Sequence, residues 1–463
     1  MVWGRYGFKE KGIDVIMKEE KTISDFFNKE YKDYAMSVIE DRSIASVCDG
    51  LKPSQRKVIF AADKIWKNND KPKKVFQLSG ITASESMYTH GDASLNACIT
   101  TMGQKFKNNL PLLDDCDTQY GSRFSPYAGA PRYISTKLSP NFRLLYKDFE
   151  ILEGKIEEGV VVEPPFYLPV IPVLLLNSSE GISVGFAQNI LNRNPKDVVD
   201  CCIKYLNGKK FTEPIPYYND FRGEYRRGND NPLKWYCVGK YEIVNTTTVH
   251  ITEIPYSMTF EKYENILNTL IDKKIIVSYE DHSAQTADYI VKFQRSVLNE
   301  LKEKGTIEST LKLVENETEN LTALDENGKL KLFESVSEII KYFVDFRLVY
   351  YQKRKDYLID KYKKELTDLC WRAKFIKVII DKKLVVNNKP KEEIVKWLEE
   401  NKFEKVNNDY NYLLNMNILS LTKEKYEDLM NKAHQKKEDL NLIEKKEPKE
   451  MYLEDLQELK KKI

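Results

Sequence analysis

Histidine and cysteine are scarce in this chain, with four and seven in 463 residues. An odd cysteine count without a C-x-x-C pair argues against a disulfide framework or a structural zinc and points to a reducing compartment. His90, His250, His282 and His434 are scattered, which disfavours a histidine-rich metal site. No apolar run reaches membrane-spanning length and no secretory leader is visible, so the expected location is the cytoplasm. A G-x-x-x-x-G-K-[ST] phosphate loop is also missing, and with it the commonest ATP-binding signature. Neither sign of charge dominates, because the formal net charge is only +2.

What is present is a long, soluble-type chain: 31% charged and 41% hydrophobic residues, enough for two to four domains with cores of their own. The near-neutral total conceals a basic stretch. From Leu51 to Leu110 there are ten lysines and arginines (Lys52, Arg56, Lys57, Lys64, Lys67, Lys71, Lys73, Lys74, Lys105, Lys107) against four acids. A phosphate-binding face and a solvated lysine-rich surface both fit that excess.

Within and after this stretch the residues acquire chemical direction. In D-G-L-K-P-S-Q-R-K-V-I-F-A-A, Pro53 opens a helix whose first turns carry Lys52, Arg56 and Lys57. Cations there oppose the helix dipole, so the placement calls for an external anion such as a nucleic-acid phosphate. Two more helical patterns, about Lys74 to Ser84 and Gly91 to Phe106, are joined by the turn Glu85 to His90, a pattern shared by a helix-turn-helix and a small helical bundle. Then comes Y-G-S-R-F-S-P-Y-A-G-A-P-R-Y, Tyr120 to Tyr133, ending in an Arg-Tyr pair after small residues that leave room for a ligand. A phenol ionises near pKa of about 10, so a nucleophilic tyrosine needs help from a base or cation, and an arginine can fork onto phosphate. One such pair among 28 tyrosines carries little weight alone, and an amphipathic tyrosine at a core edge is the plainer reading.

Elsewhere the chain is read mainly for architecture. Met1 to Ile16 reads as a loose arm, with Met17 a second possible start, and a helical pattern follows from Ile23 to Val38. From Phe211 to about Lys331 short alternating strands such as Thr248 to Ile254 predict an α/β domain, whose Arg222, Arg226 and Arg227 are either a DNA surface or ordinary exposed charge. From about Ser335 a long helix places Leu358, Tyr362, Leu366, Leu369, Ala373, Ile376 and Ile380 at coiled-coil spacing. A returning helix covers about Thr422 to Lys446, and Leu453, Leu456 and Leu459 mark a last amphipathic turn. The intervening tip, residues 383–421, carries Leu413, Leu414, Met416, Ile418 and Leu419 as a candidate dimer contact. Asp114, Asp115 and Asp117 read as a turn.

Taken together, D-G-L-K-P-S-Q-R-K at Asp49, Y-T-H-G-D-A-S-L at Tyr88, Y-G-S-R at Tyr120, A-P-R-Y at Ala130 and E-G-I-S-V-G at Glu180 resemble the DNA breakage-reunion core of type IIA topoisomerases. The likeness covers nearly all of the chain beyond about Met17, and its size and end point look most like the medium subunit of a T-even-type bacteriophage enzyme. It implies an α+β multidomain protein: an arm (1–22), a winged-helix (helix-turn-helix) DNA-cleavage domain (23–165), a tower (166–334) and a long antiparallel coiled coil with a helical dimer gate (335–463). It also implies that Tyr133 forms a transient 5′-phosphotyrosyl link, that Arg132 stabilises the scissile phosphate and that His90 stands near it. Lys52, Arg56, Lys57 and Arg123 would contact double-stranded DNA, and Ile182 would wedge between base steps and bend the duplex. Burial under Val170 to Leu176 is the alternative for Ile182, and a turn or capping role for His90. The chain would act as a homodimer, with Mg²⁺ held mainly by the Toprim module of a partner subunit that also uses ATP. A non-cleaving architectural DNA-binding protein with a helix-turn-helix and coiled coil is the competing function, and a tyrosine recombinase lacks its usual Arg/His array here.

Several positions depart from the family pattern. Thr89 precedes His90 where many relatives have a second histidine, and Pro131 precedes Arg132 where many have a small or non-proline residue. Ala93 stands where quinolone-sensitive bacterial relatives carry serine, and Ala97 replaces an acid one turn later. Weak quinolone sensitivity is therefore predicted; a titration in which low drug concentrations strongly stimulate DNA cleavage would contradict it.

Overall fold

A computed structural model of the chain describes residues 7–10, 13–16, 22–67, 70–387, 389–406, 409–417 and 421–463. The fold is α+β, and it divides into two units: 1–147 with 152–343 and residue 463, and 148–151 with 344–462. The sequence-based division into winged-helix, tower and coiled-coil segments is thus coarser here, the first two falling within one unit.

In the first unit, the arm expected to be loose contains two short antiparallel strands, Gly7–Glu10 and Ile13–Ile16. Met17 lies outside the described residues. A helical stretch from Ile23 to Ser43 follows, with two π turns, capped by Thr22, whose side chain accepts the Asp25 N–H.

The winged-helix expectation is met by three helices and a small sheet. Helix α1 (Pro53–Ile65) begins with proline at its first position, and the Lys52 N–H is taken by the Gln55 side chain at 2.9 Å. It buries Val58, Ile59, Ala61 and Ala62. Strand β1 (Lys73–Lys74) leads directly into α2 (Val75–Glu85), where Gln77 caps the Lys74 N–H in the same way at 3.0 Å. Helix α3 (Asp92–Gly103) buries Leu95, Ile99 and Met102. It stops at Gly103, three residues before the expected end, where a Cβ would come within 2.7 Å of the Tyr120 ring. Strands β2 (Leu113–Asp114) and β3 (Ser135–Leu138) complete a three-stranded sheet in which β3 is central.

The apolar run Val170 to Leu176 is wholly buried. It leads into a hairpin of β4 (Ser179–Ile182) and β5 (Ala187–Ile190), in which Ile182 pairs with Ala187 next to the turn. The predicted strand-rich region follows. A sheet of Glu224–Arg227, Lys234–Val238 and Val314–Thr318 lies beside a four-stranded sheet, and the latter shares a core with Tyr263, Leu267 and Leu298 of two helices. Arg193 is buried here and bonds to Glu319 at 2.7 Å, and the Trp235 indole N–H donates to the same carboxylate at 2.9 Å. Arg222, Arg226 and Arg227 are bound to acids of the same unit: Glu253 (3.6 Å), Glu308 (2.9 Å) and Glu213 (2.7 Å). All three stay partly exposed while paired within the unit, an arrangement that neither reading from the sequence had included.

Helix α4 (Val336–Ile380) runs from the first unit into the second. Within the second unit, α5 (Lys423–Lys445) returns along it, with Leu429 packed on Ala373 and Ile376, and with Lys436 bonded to Glu365 at 2.8 Å. Helix α6 (Pro448–Lys462) closes the base, where Tyr452 stacks on Tyr351 at 4.4 Å and the Tyr351 hydroxyl donates to Asp455. The tip has its own core of Phe375, Leu384, Ile394, Leu398, Phe403, Tyr410 and Leu413. Leu413, expected at a dimer contact, is fully buried in that core, because Tyr410 and Leu398 need an apolar partner within the tip. Leu414 and Met416 pack partly against it, and Ile418 and Leu419 lie outside the described residues.

The Arg193–Glu319 pair sets an energetic test. Arg193→Leu strands a buried carboxylate and is expected to cost roughly 3–5 kcal/mol in urea denaturation, whereas adding Glu319→Leu recovers most of the loss; equal losses in the single and double variants would contradict this.

Candidate DNA-cleavage site

The Asp49-Gly50 turn organises the first half of the site. Gly50 has φ +70°, and a Cβ there would approach Leu174 N to 2.4 Å, so only glycine lets this turn pack on the apolar run. The fully buried Asp49 carboxylate receives Arg56 Nε at 2.7 Å and Nη2 at 3.1 Å, together with the N–H groups of Leu51 and Tyr167. Arg56 is therefore an internal strut. The expectation that it clamps DNA is corrected, because the partner that uses up its guanidinium is seven residues upstream.

Lys57 is corrected for the same reason. Its ammonium is shared among the Ser86 carbonyl at 2.5 Å, Glu163 at 2.9 Å and Glu157 at 3.3 Å. Arg123 is buried against the Glu253 carboxylate and stacks over Phe124 at 4.1 Å. The three cations make the fold, and none is left to a phosphate.

Lys52 is half-buried, and its Nζ donates to the Glu180 carbonyl at 2.6 Å. Burial holds its ammonium pKa below the ordinary lysine value. A Cβ on Gly181 would fall 2.0 Å from the Ser43 carbonyl and 3.2 Å from this Nζ, so the hairpin root is pressed against the start of α1. From that root Ile182 projects with 84% of its surface exposed. The alternative of burial beneath Val170–Leu176 is not what the structure shows. An apolar side chain held out on a rigid, anchored hairpin has the form required of an intercalating wedge.

At the start of α3, His90 is exposed and meets the Tyr88 ring edge-on at 5.4 Å. Tyr88 reaches Ser54 on α1, and its phenol pKa is raised by burial, with nearby Arg42 acting in the opposite sense. Cys98, half-buried beside Lys52, has its thiol pushed up to about 12 by burial, which favours the protonated form at neutral pH. The outward residues of α3's first turns, Asp92, Ala93, Ser94 and Ala97, are small or short, so a duplex can approach the helix closely.

Arg132 and Tyr133 are both exposed, Tyr133 by 71%. Among the described residues, neither side chain makes a hydrogen bond or ion pair within the chain. Their backbone is held firmly. The carbonyls of Pro131 and Ile134 accept the N–H groups of Phe76 (3.2 Å) and Val75 (3.1 Å), and the Tyr133 carbonyl accepts Lys74 Nζ at 2.8 Å. No hydrogen bond, ion pair or ring contact joins His90 to Tyr133 among the described residues.

The comparisons with known proteins bear on this geometry directly. The model of the DNA gyrase/topoisomerase IV A-subunit family matches residues 42–459. The chain belongs to that family. Mitochondrial DNA topoisomerase 2 of Dictyostelium discoideum is 34% identical over 99% of this chain and 36% of its own length. DNA topoisomerase 2 of Plasmodium falciparum is 34% identical over 96% and 35%, and DNA topoisomerase 2-alpha of Gallus gallus 35% identical over 94% and 30%. The chain therefore spans about a third of the length of these relatives. The solved DNA-binding, cleavage and re-ligation domain of Plasmodium falciparum topoisomerase II superposes with a TM-score of 0.85 at 33% identity, covering 94% of this chain and 64% of that one.

Arg42, Lys74 and Tyr88 were given no role by the reading of the motifs, and the structure sets Tyr88 beside His90 and Lys74 against Tyr133. Arg42 is exposed and makes no ion pair among the described residues, yet in E-D-R-S it looks like any surface charge. Lys74 could have been suspected from its place one residue before a helix. As a test of the corrected roles, Arg56→Leu is expected to lower stability by about 3–5 kcal/mol, by stranding Asp49. A protein as stable as the parent but with a shallower salt dependence of DNA binding would restore Arg56 to the DNA surface.

Proposed function

We propose that this chain is the DNA-cleaving and religating part of an ATP-dependent type II topoisomerase, in which Tyr133 attacks a DNA phosphate. The observation that carries the reading is the contrast at the Arg-Tyr pair: a backbone fixed by α2, with a guanidinium and a phenol both turned out to solvent and unpaired within the chain. In the reaction the phenolic oxygen bonds to phosphorus as the P–O3′ bond breaks, and the phenolic proton ends on the departing 3′ oxygen. The phosphodiester energy is kept in the new ester, so reversal reseals the strand without a ligase cofactor. Arg132 holds the phosphate and offsets charge as it builds, His90 stands by as a hydrogen-bonding group, and Ile182 bends the duplex from its hairpin. Cleaving both strands needs two such tyrosines, and hence two copies of the chain.

Mg²⁺ and ATP enter this reading through a partner subunit. Among the described residues there is no cluster of acids, histidines and cysteines able to hold a metal ion. Asp115 is bonded to Lys105 at 2.8 Å, and Asp114, which ends β2 rather than lying in the expected turn, accepts the Cys116 N–H. We infer that the metal is held mainly by the partner's Toprim module. A cytoplasmic setting and kinship with the bacteriophage medium subunits belong to the same proposal. The architectural alternative loses ground because a DNA-binding protein that never cleaves has no use for an anchored, outward-facing Arg-Tyr pair.

The deciding experiment combines the chain with an ATPase/Toprim partner, Mg²⁺ and supercoiled DNA, and denatures the mixture with detergent. Protein linked to DNA 5′ ends is expected from the unmodified chain and none from Tyr133→Phe. An unmodified chain that binds DNA tightly yet leaves no linked ends would favour the architectural reading.

A further inference from the structure

Among the described residues the phenol of Tyr133 has no hydrogen bond or ion pair, so its position is set from the backbone. The first turn of α2 supplies that control. Three carbonyls of the four-residue segment Pro131–Ile134 are taken by three consecutive residues: Phe76 N–H on Pro131, Lys74 Nζ on Tyr133 and Val75 N–H on Ile134. Two of these donors are main-chain groups present whatever the side chain. The third is the Lys74 ammonium, which also donates to Ser135 Oγ at 3.1 Å and lies opposite Ser135 in the β1–β3 register.

We propose that Lys74 is a positioning residue for the nucleophile, its ammonium gripping the Tyr133 carbonyl and thereby fixing the phenol for in-line attack. The proposal rests on the reading of Tyr133 as the nucleophile. Without the grip, the peptide between Tyr133 and Ile134 keeps only the long bond from the Ile134 N–H to the Ala130 carbonyl at 3.4 Å, and the Tyr133 Cα–Cβ vector swings with it. A displacement of about 1 Å at the reacting atom costs on the order of 100-fold in rate. The ammonium is spent on the carbonyl and the serine hydroxyl, so binding of the intact duplex does not depend on it. This separates a positioning lysine from a phosphate-contacting one, which governs affinity and its salt dependence.

The test measures the single-turnover rate of linking protein to DNA 5′ ends at saturating DNA, for the chain combined with its ATPase/Toprim partner, together with DNA affinity at several salt concentrations. Lys74→Met is expected to slow linkage by roughly 10- to 100-fold, with affinity and salt slope unchanged, and Lys74→Arg, which keeps a donor in reach, to recover part of the rate. Ser135→Ala leaves the charge in place and removes one of its two acceptors. It should give a smaller loss in the same direction, and it serves as the readout should Lys74→Met fail to fold. Linkage at the parental rate in both variants overturns the proposal. So does a Lys74→Met defect that appears only as weakened, less salt-sensitive DNA binding and vanishes at saturating DNA. If the parent chain itself forms no 5′-linked protein, it is the nucleophile reading that has failed, and this one with it.

Discussion

The carboxylate of Asp49 is the fixed point around which the DNA-facing half of the molecule is built. It is wholly buried, and it is stable there because four donors from three places meet it: two nitrogens of Arg56 and the N–H groups of Leu51 and Tyr167. The carbonyl of the same residue accepts the Tyr146 hydroxyl at 2.7 Å. A buried ion pair gains little net energy over a well-packed apolar pair, but half of one is severely destabilising, so the arrangement tolerates one geometry only. That geometry starts α1, seats Gly50 on the Val170–Leu176 run and brings Lys52 to the hairpin root. The wedge at Ile182 is thus held by residues more than a hundred positions earlier in the chain.

This also explains what could and could not be read from the residues. Glycine, proline and the Arg-Tyr pair were legible because each owes its role to local chemistry: a positive φ at Gly50, a helix start at Pro53, small residues before Arg132. The helices of the winged-helix region and the antiparallel helical arm were legible from apolar spacing. The cations were not. Arg56, Lys57 and Arg123 have the composition of a DNA-binding surface, but their fates were decided by Asp49, Glu157 with Glu163, and Glu253. For Lys57 and Arg123 those partners lie a hundred or more residues away, and no inspection of local charge could have found them. Leu413 shows the same limit in apolar form, since period and polarity do not tell a tip's own core from the face it offers to another molecule.

Sorting charges by what they already bind leaves a smaller and more informative set. Among the described residues, Arg42, Arg132 and Arg295 are exposed guanidiniums without an ion pair, and Lys52 and Lys74 are half-buried ammoniums bound to main-chain carbonyls. A carbonyl carries no net charge to cancel theirs. These two lysines therefore hold the main chain in shape through their hydrogen bonds, unlike a lysine whose place is set by a carboxylate.

The same division separates the rigid part of the site from the part that awaits a ligand. Backbone at 131–134 and at the 180–182 hairpin root is tied down by direct hydrogen bonds, while the groups expected to touch DNA (Tyr133, Arg132, Ile182 and His90) stand in solvent. Exposing an isoleucine side chain forgoes about 1.5–3 kcal/mol of burial, a cost that folding alone does not recover. An apolar wedge and an unpaired guanidinium regain their favourable contacts only when a duplex arrives, and so the energy withheld from folding becomes available to distort that duplex and orient its phosphate. If the proposed function holds, the exposed residues belong to an interface completed by DNA, and the preorganisation needed for attack resides in the main chain beneath them.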